Sequence, residues 1–287
     1  LFAGRFSNAK SAITISIIAN VVAVVVYPFI PQLSLVLAGS ASAIYHVIGG
    51  TETANSNNAA PIGVFAAPGI LGLVLAGYLT FMRYDLWLIS FIACVLFAGV
   101  IQLTTFPKIE KKDPLPIHNV IDSHDMLMIF LLGVISLRSA VWNIFQIIYD
   151  QNYTWLIAIA LSAFVGKILG GWLSDKVGWK LYSLVSLVTA MPLVSFFKDE
   201  IALFCIGIGL LQSAVPANTS LMINHCKGQK EQGIALSFGT AVIIGMVLSG
   251  GVQFLGYNPF FNTLLFALLL LTLWLIKGRD VFKISPF

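Results

Sequence analysis

Ten stretches of about 17 to 24 residues, each long enough to cross a bilayer as helix, dominate this chain: 11–27, 33–50, 60–80, 86–106, 126–149, 153–173, 181–197, 201–224, 233–255 and 258–276. At 1.5 Å rise per residue, such a run spans the ~30 Å hydrocarbon core. Within that medium each backbone amide and carbonyl needs an internal partner, so only helices or a closed barrel are open to the chain. Barrel strands would read as ten-residue segments alternating in polarity, and the runs here are apolar on all sides. With 58% hydrophobic residues, 10% charged and a mean hydropathy of +0.92, a soluble domain of 287 residues is excluded. The expected fold class is therefore all-α and polytopic, with about ten transmembrane helices.

The sparse charges orient those helices. Arg5, Lys10, Lys108, Lys111, Lys112, Lys176, Lys180, Lys227, Lys230, Lys277, Arg279 and Lys283 fall on one set of alternate loops and tails, against Arg83 and Lys198 on the other. Cytoplasmic loops are enriched in Lys and Arg, so both ends of the chain are expected in the cytoplasm of a cell membrane, the bacterial cytoplasmic membrane being the natural setting. The longest charged and proline-bearing stretch, 107–125, divides the chain into an N-terminal bundle (1–106) of four helices and a C-terminal bundle (126–287) of six.

One turn carries more information than the rest. From Gly166 to Lys180 an apolar helix runs into a charged turn and at once into another apolar run. Gly166, Gly170, Gly171 and Ser174 are small enough to admit a neighbouring helix closely. Asp175 offers a carboxylate to the bare amides of a helix N-terminus. Gly178 permits the turn, and Lys176 and Lys180 hold it at the cytoplasmic face.

The pattern Gly171, Asp175, Lys176, Gly178, Lys180 resembles the signature turn of the major facilitator superfamily of secondary transporters, Gly-x-x-x-Asp-(Arg/Lys)-x-Gly-x-(Arg/Lys), at every defined position. The resemblance implies two pseudo-symmetric six-helix bundles and a structural or gating role for these five residues, with Asp175 capping the start of the third span near residues 58–62. Gly4, Arg5, Phe6 and Ser7 read as a worn copy that keeps the base and lacks the acid. Gly39 to His46 lies over Gly209 to Pro216, each followed by a polar loop and a glycine-studded span, as an internal repeat requires. In that register the first two superfamily helices are missing from this sequence. Within the superfamily, the segment from Gly39 to Gly50 with Tyr45 and His46, together with the glycine-rich third span, resembles the fosmidomycin-resistance-like exporters. It departs from them in having Val47 where a proline usually follows the histidine.

Charge inside the membrane is costly and marks cavities. Arg138 stands twelve residues into the fifth span with no acid at matching depth, which makes it the candidate anchor for an anionic solute, with Trp142 and Gln146 on the same helix face; pairing with a carbonyl is the structural alternative. Lys167, six residues before the end of its span, is a candidate cavity residue or a snorkelling surface lysine. His46 is a candidate for proton coupling, since imidazole titrates near neutrality, or an ordinary packing residue.

The expected function is secondary active transport of a small solute by alternating access, with proton-coupled efflux implied by the exporter resemblance. Import of a nutrient or organic anion, uniport, or a truncated non-transporting remnant use the same scaffold. Zinc-protease, serine-hydrolase and phosphate-loop motifs are absent, and Cys94, Cys205 and Cys226 stand singly, so neither an enzyme nor a metal or cofactor site is expected. The expected partners are a small-molecule substrate, protons and the lipid bilayer, with no nucleic acid, and the expected state is a monomer.

Overall fold

The structure, a computed structural model, describes residues 8–82, 86–105, 123–148, 152–226 and 229–250, together with 264, 267, 268 and 271. The worn turn at residues 4–7, most of the 107–125 stretch and most of the 258–276 run lie outside the described residues. Twelve α-helices are described: α1 (Ala9–Val26), α2 (Pro31–Ala54), α3 (Ala59–Ala66), α4 (Pro68–Phe81), α5 (Leu86–Leu103), α6 (Ser123–Ile148), α7 (Tyr153–Val177), α8 (Trp179–Phe196), α9 (Ile201–Ser213), α10 (Val215–His225), α11 (Lys230–Ala235) and α12 (Ala241–Ser249). A π-helical turn, Leu236–Thr240, joins the last two. Eight helical stretches among the described residues are long and apolar enough to cross a membrane, and Trp87–Leu103 is a shorter apolar helix. The protein is an all-helical, multi-pass membrane protein.

Helix ends follow local chemistry. Asn8 and Asn152 cap α1 and α7, their side chains accepting from the amides of Lys10 and Trp155. Pro31 opens α2 at the one turn where a missing N–H costs nothing. Gly178, at φ +98°, makes the tight link from α7 to α8.

Two runs that read as single spans are broken. In the third, Pro68 has no N–H, α3 ends at Ala66, and the Ile70 amide bonds to the Ala67 carbonyl, one residue short of a helical bond. In the eighth, Pro216 and Ala214 separate α9 from α10. Each break leaves carbonyls at the end of a half-helix, deep in the molecule, that need donors from elsewhere.

The stretch 107–125 separates a first group of helices in chain order, α1 to α5, from a second, α6 to α12, and α3 and α4 pack across on α7. In the first, α1 lies on α2 and α5; in the second, α7 and α8 pack on α9, and α12 packs on α6. The larger core lies mostly in the second group, with Val134, Ile144, Phe145, Leu187, Phe204, Ile208 and Leu211 among its buried side chains, and takes in Ile70 from α4. Helix α7 is the hinge of the assembly because glycines line two of its faces. Gly166 and Gly170 lie against the backbone of Gly209 and Ser213 on α9. Gly171 faces the other way, where a Cβ would stand 2.8 Å from the Ala59 carbonyl oxygen and 2.9 Å from Ala60 Cα. Small residues thus let α3, from the first group, approach to backbone contact. Helix α2 likewise meets α11, and α10 meets α3, along the same seam.

Candidate functional site

The seam between the groups carries three sets of polar or aromatic contacts, and a fourth polar set lies inside the second group. At one end of the molecule the loop 55–58, linking α2 to α3, is held from both sides. Asp175 Oδ1 accepts from the Ala59 amide at 2.8 Å and Oδ2 from the Ala60 amide at 2.9 Å, so one carboxylate takes two of the orphan donors at the start of α3. Trp179 Nε1 donates to the same Oδ1 at 2.8 Å and fixes the rotamer. From α11, Lys230 Nζ donates to the Ala54 carbonyl at 3.2 Å and to Asn57 Oδ1 at 3.0 Å, with Asn55 Oδ1 at 3.5 Å. Asn57 holds φ +57°, a conformation its short polar side chain tolerates better than most. The negative charge therefore sits at a helix N-terminus and the positive one at a helix C-terminus, both in the favourable sense of the dipole.

About two helical turns inward lie the rings. His46 on α2 stands edge-on to Tyr45, Phe65 and Phe238, with centroid separations of 5.6, 6.1 and 6.4 Å. Phe238 comes from the π-helical turn of the opposite group, so this cluster spans the seam. His46 Nδ1 lies 2.8 Å from the Ser42 carbonyl oxygen and 3.2 Å from Ser42 Oγ. Ser42 also lines a cavity of about 370 Å³ with Ser16, Asn20, Tyr45, Cys94 and Phe97, between α1, α2 and α5.

The third set is at the α3–α4 break. Lys167 Nζ, partly buried, donates to the Ala66 carbonyl at 3.5 Å. That carbonyl is one of those released where Pro68 interrupts the ladder.

The fourth set is the polar interior of the second group. Arg138 is 1% exposed. Its Nη1 donates to the Leu211 carbonyl at 2.6 Å, and Nη2 donates to the Ser183 carbonyl at 3.2 Å, with Ser183 Oγ at 3.5 Å. Ser183 Oγ donates in turn to Asn218 Oδ1 at 2.7 Å, and Tyr182 donates to Ser213 Oγ at 3.0 Å. Leu211 stands two residues before the end of α9, so the guanidinium occupies the negative end of a half-helix. Among the described residues no acid partners Arg138, and its counter-charge lies in backbone carbonyls.

The candidates from sequence are thus dispersed. Asp175 and Lys167 both contact α3, His46 lies on the seam, and Arg138 bonds within the second group, to α8 and α9. Trp142 packs, partly buried, against the second group's core. The side chain of Gln146 lies outside the described residues. Gly171 is a backbone contact, and Lys176 stands 3.7 Å above the Trp172 ring. Lys180 is half-buried in the first turn of α8. Sequence reasoning missed Lys230, Ser183, Asn218 and Phe238 as contact residues; Pro216 was the available signal for the half-helix that Arg138 meets.

No protein-family model matches the chain, and no curated protein sequence matches it. Solved structures do. A major facilitator superfamily transporter, FucP, in the outward conformation superposes with a TM-score of 0.67 at 12% identity, covering 95% of this chain and 85% of that one. A point variant of the E. coli fucose:proton symporter FucP gives 0.62 at 14%, covering 93% and 84%. At such identities the likeness establishes the architecture, and this chain has the fold of the major facilitator superfamily transporters.

Proposed function

We propose that the protein is a secondary transporter that moves a small solute through the membrane by alternating access, coupled to protons. The observation that carries this reading is the seam. Two helix groups of the transporter fold meet through contacts between charged side chains and helix ends, each of which bares one ion on opening where a salt bridge would bare two. A wholly apolar seam would be permanent. The charged end, with Asp175 and Lys230, is cytoplasmic on the loop-charge asymmetry, and its closure corresponds to an outward-facing state.

Proton coupling rests on two supports: the E. coli neighbour is a fucose:proton symporter, and the His46 ring lies on the seam against Phe238. The direction of coupling has two readings. The exporter resemblance of Gly39 to Gly50 favours antiport and efflux, and the symporter neighbour favours uptake with protons. Arg138 as the anchor of an anionic solute would require exchange of its bonds to Leu211 and Ser183, so its present geometry favours a structural role.

The test is reconstitution of the chain in vesicles loaded with a pH-sensitive dye, challenged with L-fucose, other neutral sugars, carboxylates and phosphonates. A transported solute will shift the internal pH, downward on solute uptake by symport and upward by antiport. Solute flux that is unchanged when the proton gradient is collapsed would overturn the coupling. Absence of flux for every class would count against transport itself.

A further inference from the structure

We propose that Lys167 is a positioning residue for the transport cycle: with Asp175 it grips α3 at both ends and thereby sets how often the two helix groups separate. The inference rests on the groups moving relative to one another, as the proposed function requires. Helix α3 has eight residues, from Ala59 to Ala66. Lys167 and Asp175 stand eight positions apart on α7, about 12 Å along its axis, which matches the length of α3. The two helices run antiparallel, so the carboxylate meets the amides of Ala59 and Ala60 and the ammonium meets the carbonyl of Ala66.

The signs are those that a helix dipole demands, negative at its N-terminus and positive at its C-terminus. Between the two jaws the backbones touch. Gly171 is pressed on Ala59 and Ala60, and Gly63 lies against the Lys167 carbonyl, where a Cβ would also be 3.1 Å from Pro216 Cγ. No side chain stands between α3 and α7 to hold them by packing alone at these points. Lys167 has no partner other than Ala66 among the described residues, and the proline break of α3 is what frees that carbonyl. Sequence, break and clamp belong to one device: Pro68 ends the half-helix, and Lys167 occupies the end that it creates.

Opening of this seam exposes Ile62, which is 1% exposed and packed with Ala54, Ile223 and Ile234. The experiment replaces Cys94, Cys205 and Cys226 by alanine, introduces Ile62→Cys, and measures its rate of labelling by N-ethylmaleimide in purified protein. Removal of charge by Lys167→Gln should accelerate labelling roughly fivefold, the ratio that corresponds to about 1 kcal/mol of dipole interaction. Lys167→Glu, which repels the same helix end, should accelerate it further, and Lys167→Arg should restore the slow rate. Where Lys167→Glu does not purify as folded protein, Lys167→Met takes its place and should match Gln.

Packing without charge would make Arg as fast as Gln, and that result overturns the proposal, as does labelling at the parent rate in every variant. The measurement requires no solute. Its failure leaves the transport reading standing, whereas a folded chain without flux that still shows the Gln, Glu and Arg order would separate the clamp from that reading.

Discussion

Replacement of Arg138 distinguishes a helix cap from a solute anchor, and the structure supplies the magnitudes. Three contacts hold the guanidinium, of which the 2.6 Å bond to the Leu211 carbonyl is the strongest. A charge-assisted hydrogen bond contributes about 1.5 to 3 kcal/mol net, and a cation at a partly buried helix C-terminus adds up to about 2 kcal/mol. Against this stand the desolvation of the guanidinium and its buried Nε, which has no partner. Loss of Arg138 does not orphan every acceptor: the Ser183 carbonyl still accepts from Ser186 Oγ at 3.0 Å. Only Leu211 is left bare. Arg138→Met should therefore destabilise by about 2 to 4 kcal/mol. Arg138→Gln can return one neutral donor and should cost about 1 to 2 kcal/mol, and Arg138→Lys, which keeps the charge on a single donor head, should cost least. Thermal unfolding of the purified chain in one detergent, followed by tryptophan fluorescence, gives the order Lys, Gln, Met. Equal melting of all three with the parent protein would refute the cap, and if anion flux alone were lost in Arg138→Gln the residue would be the solute anchor expected from sequence.

Asp175→Asn retains one acceptor but turns an amide toward the second backbone N–H, and should cost about 1 kcal/mol in apparent stability; Asp175→Ala should cost more, because the buried Ala59 amide then has no acceptor. Thermal unfolding checks both, and parent-like melting of both would remove the capping role. Gly171→Ala puts a methyl 2.8 Å from the Ala59 carbonyl oxygen, where backbone must shift, and should cost about 1 to 3 kcal/mol in the same assay, whereas Gly69→Ala, with nothing within 4 Å, should be neutral. A reporter cysteine at Asn58 should resist an impermeant reagent on intact cells while one at Asp150 reacts, and the reverse pattern would invert the topology.

Much of the fold was legible because hydropathy and a helical backbone obligation act together: apolar length sets each helix, and the tight loops leave few ways to connect them. The turn at Gly171, Asp175 and Gly178 was legible because each residue type answers a local need, close approach, an amide acceptor and a positive φ. The two half-helices were not. Residues 60–80 and 201–224 each hold enough apolar length to read as one span, and hydropathy does not register that Pro68 and Pro216 remove hydrogen bonds within them. Arg138 was legible as an anomaly but not in its role, since its partners are carbonyls of Leu211 and Ser183, and a backbone carbonyl has no letter in the sequence. For the same reason Lys230 read as one more loop cation. Phe238 escaped because its reach to His46 depends on a π-helical turn, which changes the direction of a side chain without changing composition.

A common rule connects these residues. Lys10 donates to the Gln102 carbonyl at 2.7 Å at the end of α5, Arg138 to Leu211 on α9, Lys167 to Ala66 on α3 and Lys230 to Ala54 on α2, while Asp175 accepts at the start of α3. Each charge meets a helix terminus in the favourable sense. A terminus offers about half a charge and needs no second desolvated ion, so separation leaves one bare group where a broken salt bridge would leave two. For Lys10 and Arg138, within one group, the rule serves stability. For Asp175, Lys167 and Lys230, across the seam, it serves motion. Three such contacts at about 1 kcal/mol each bias the closed state by about 3 kcal/mol, roughly a hundredfold. A solute that binds one state about a thousandfold more tightly can reverse a bias of that size.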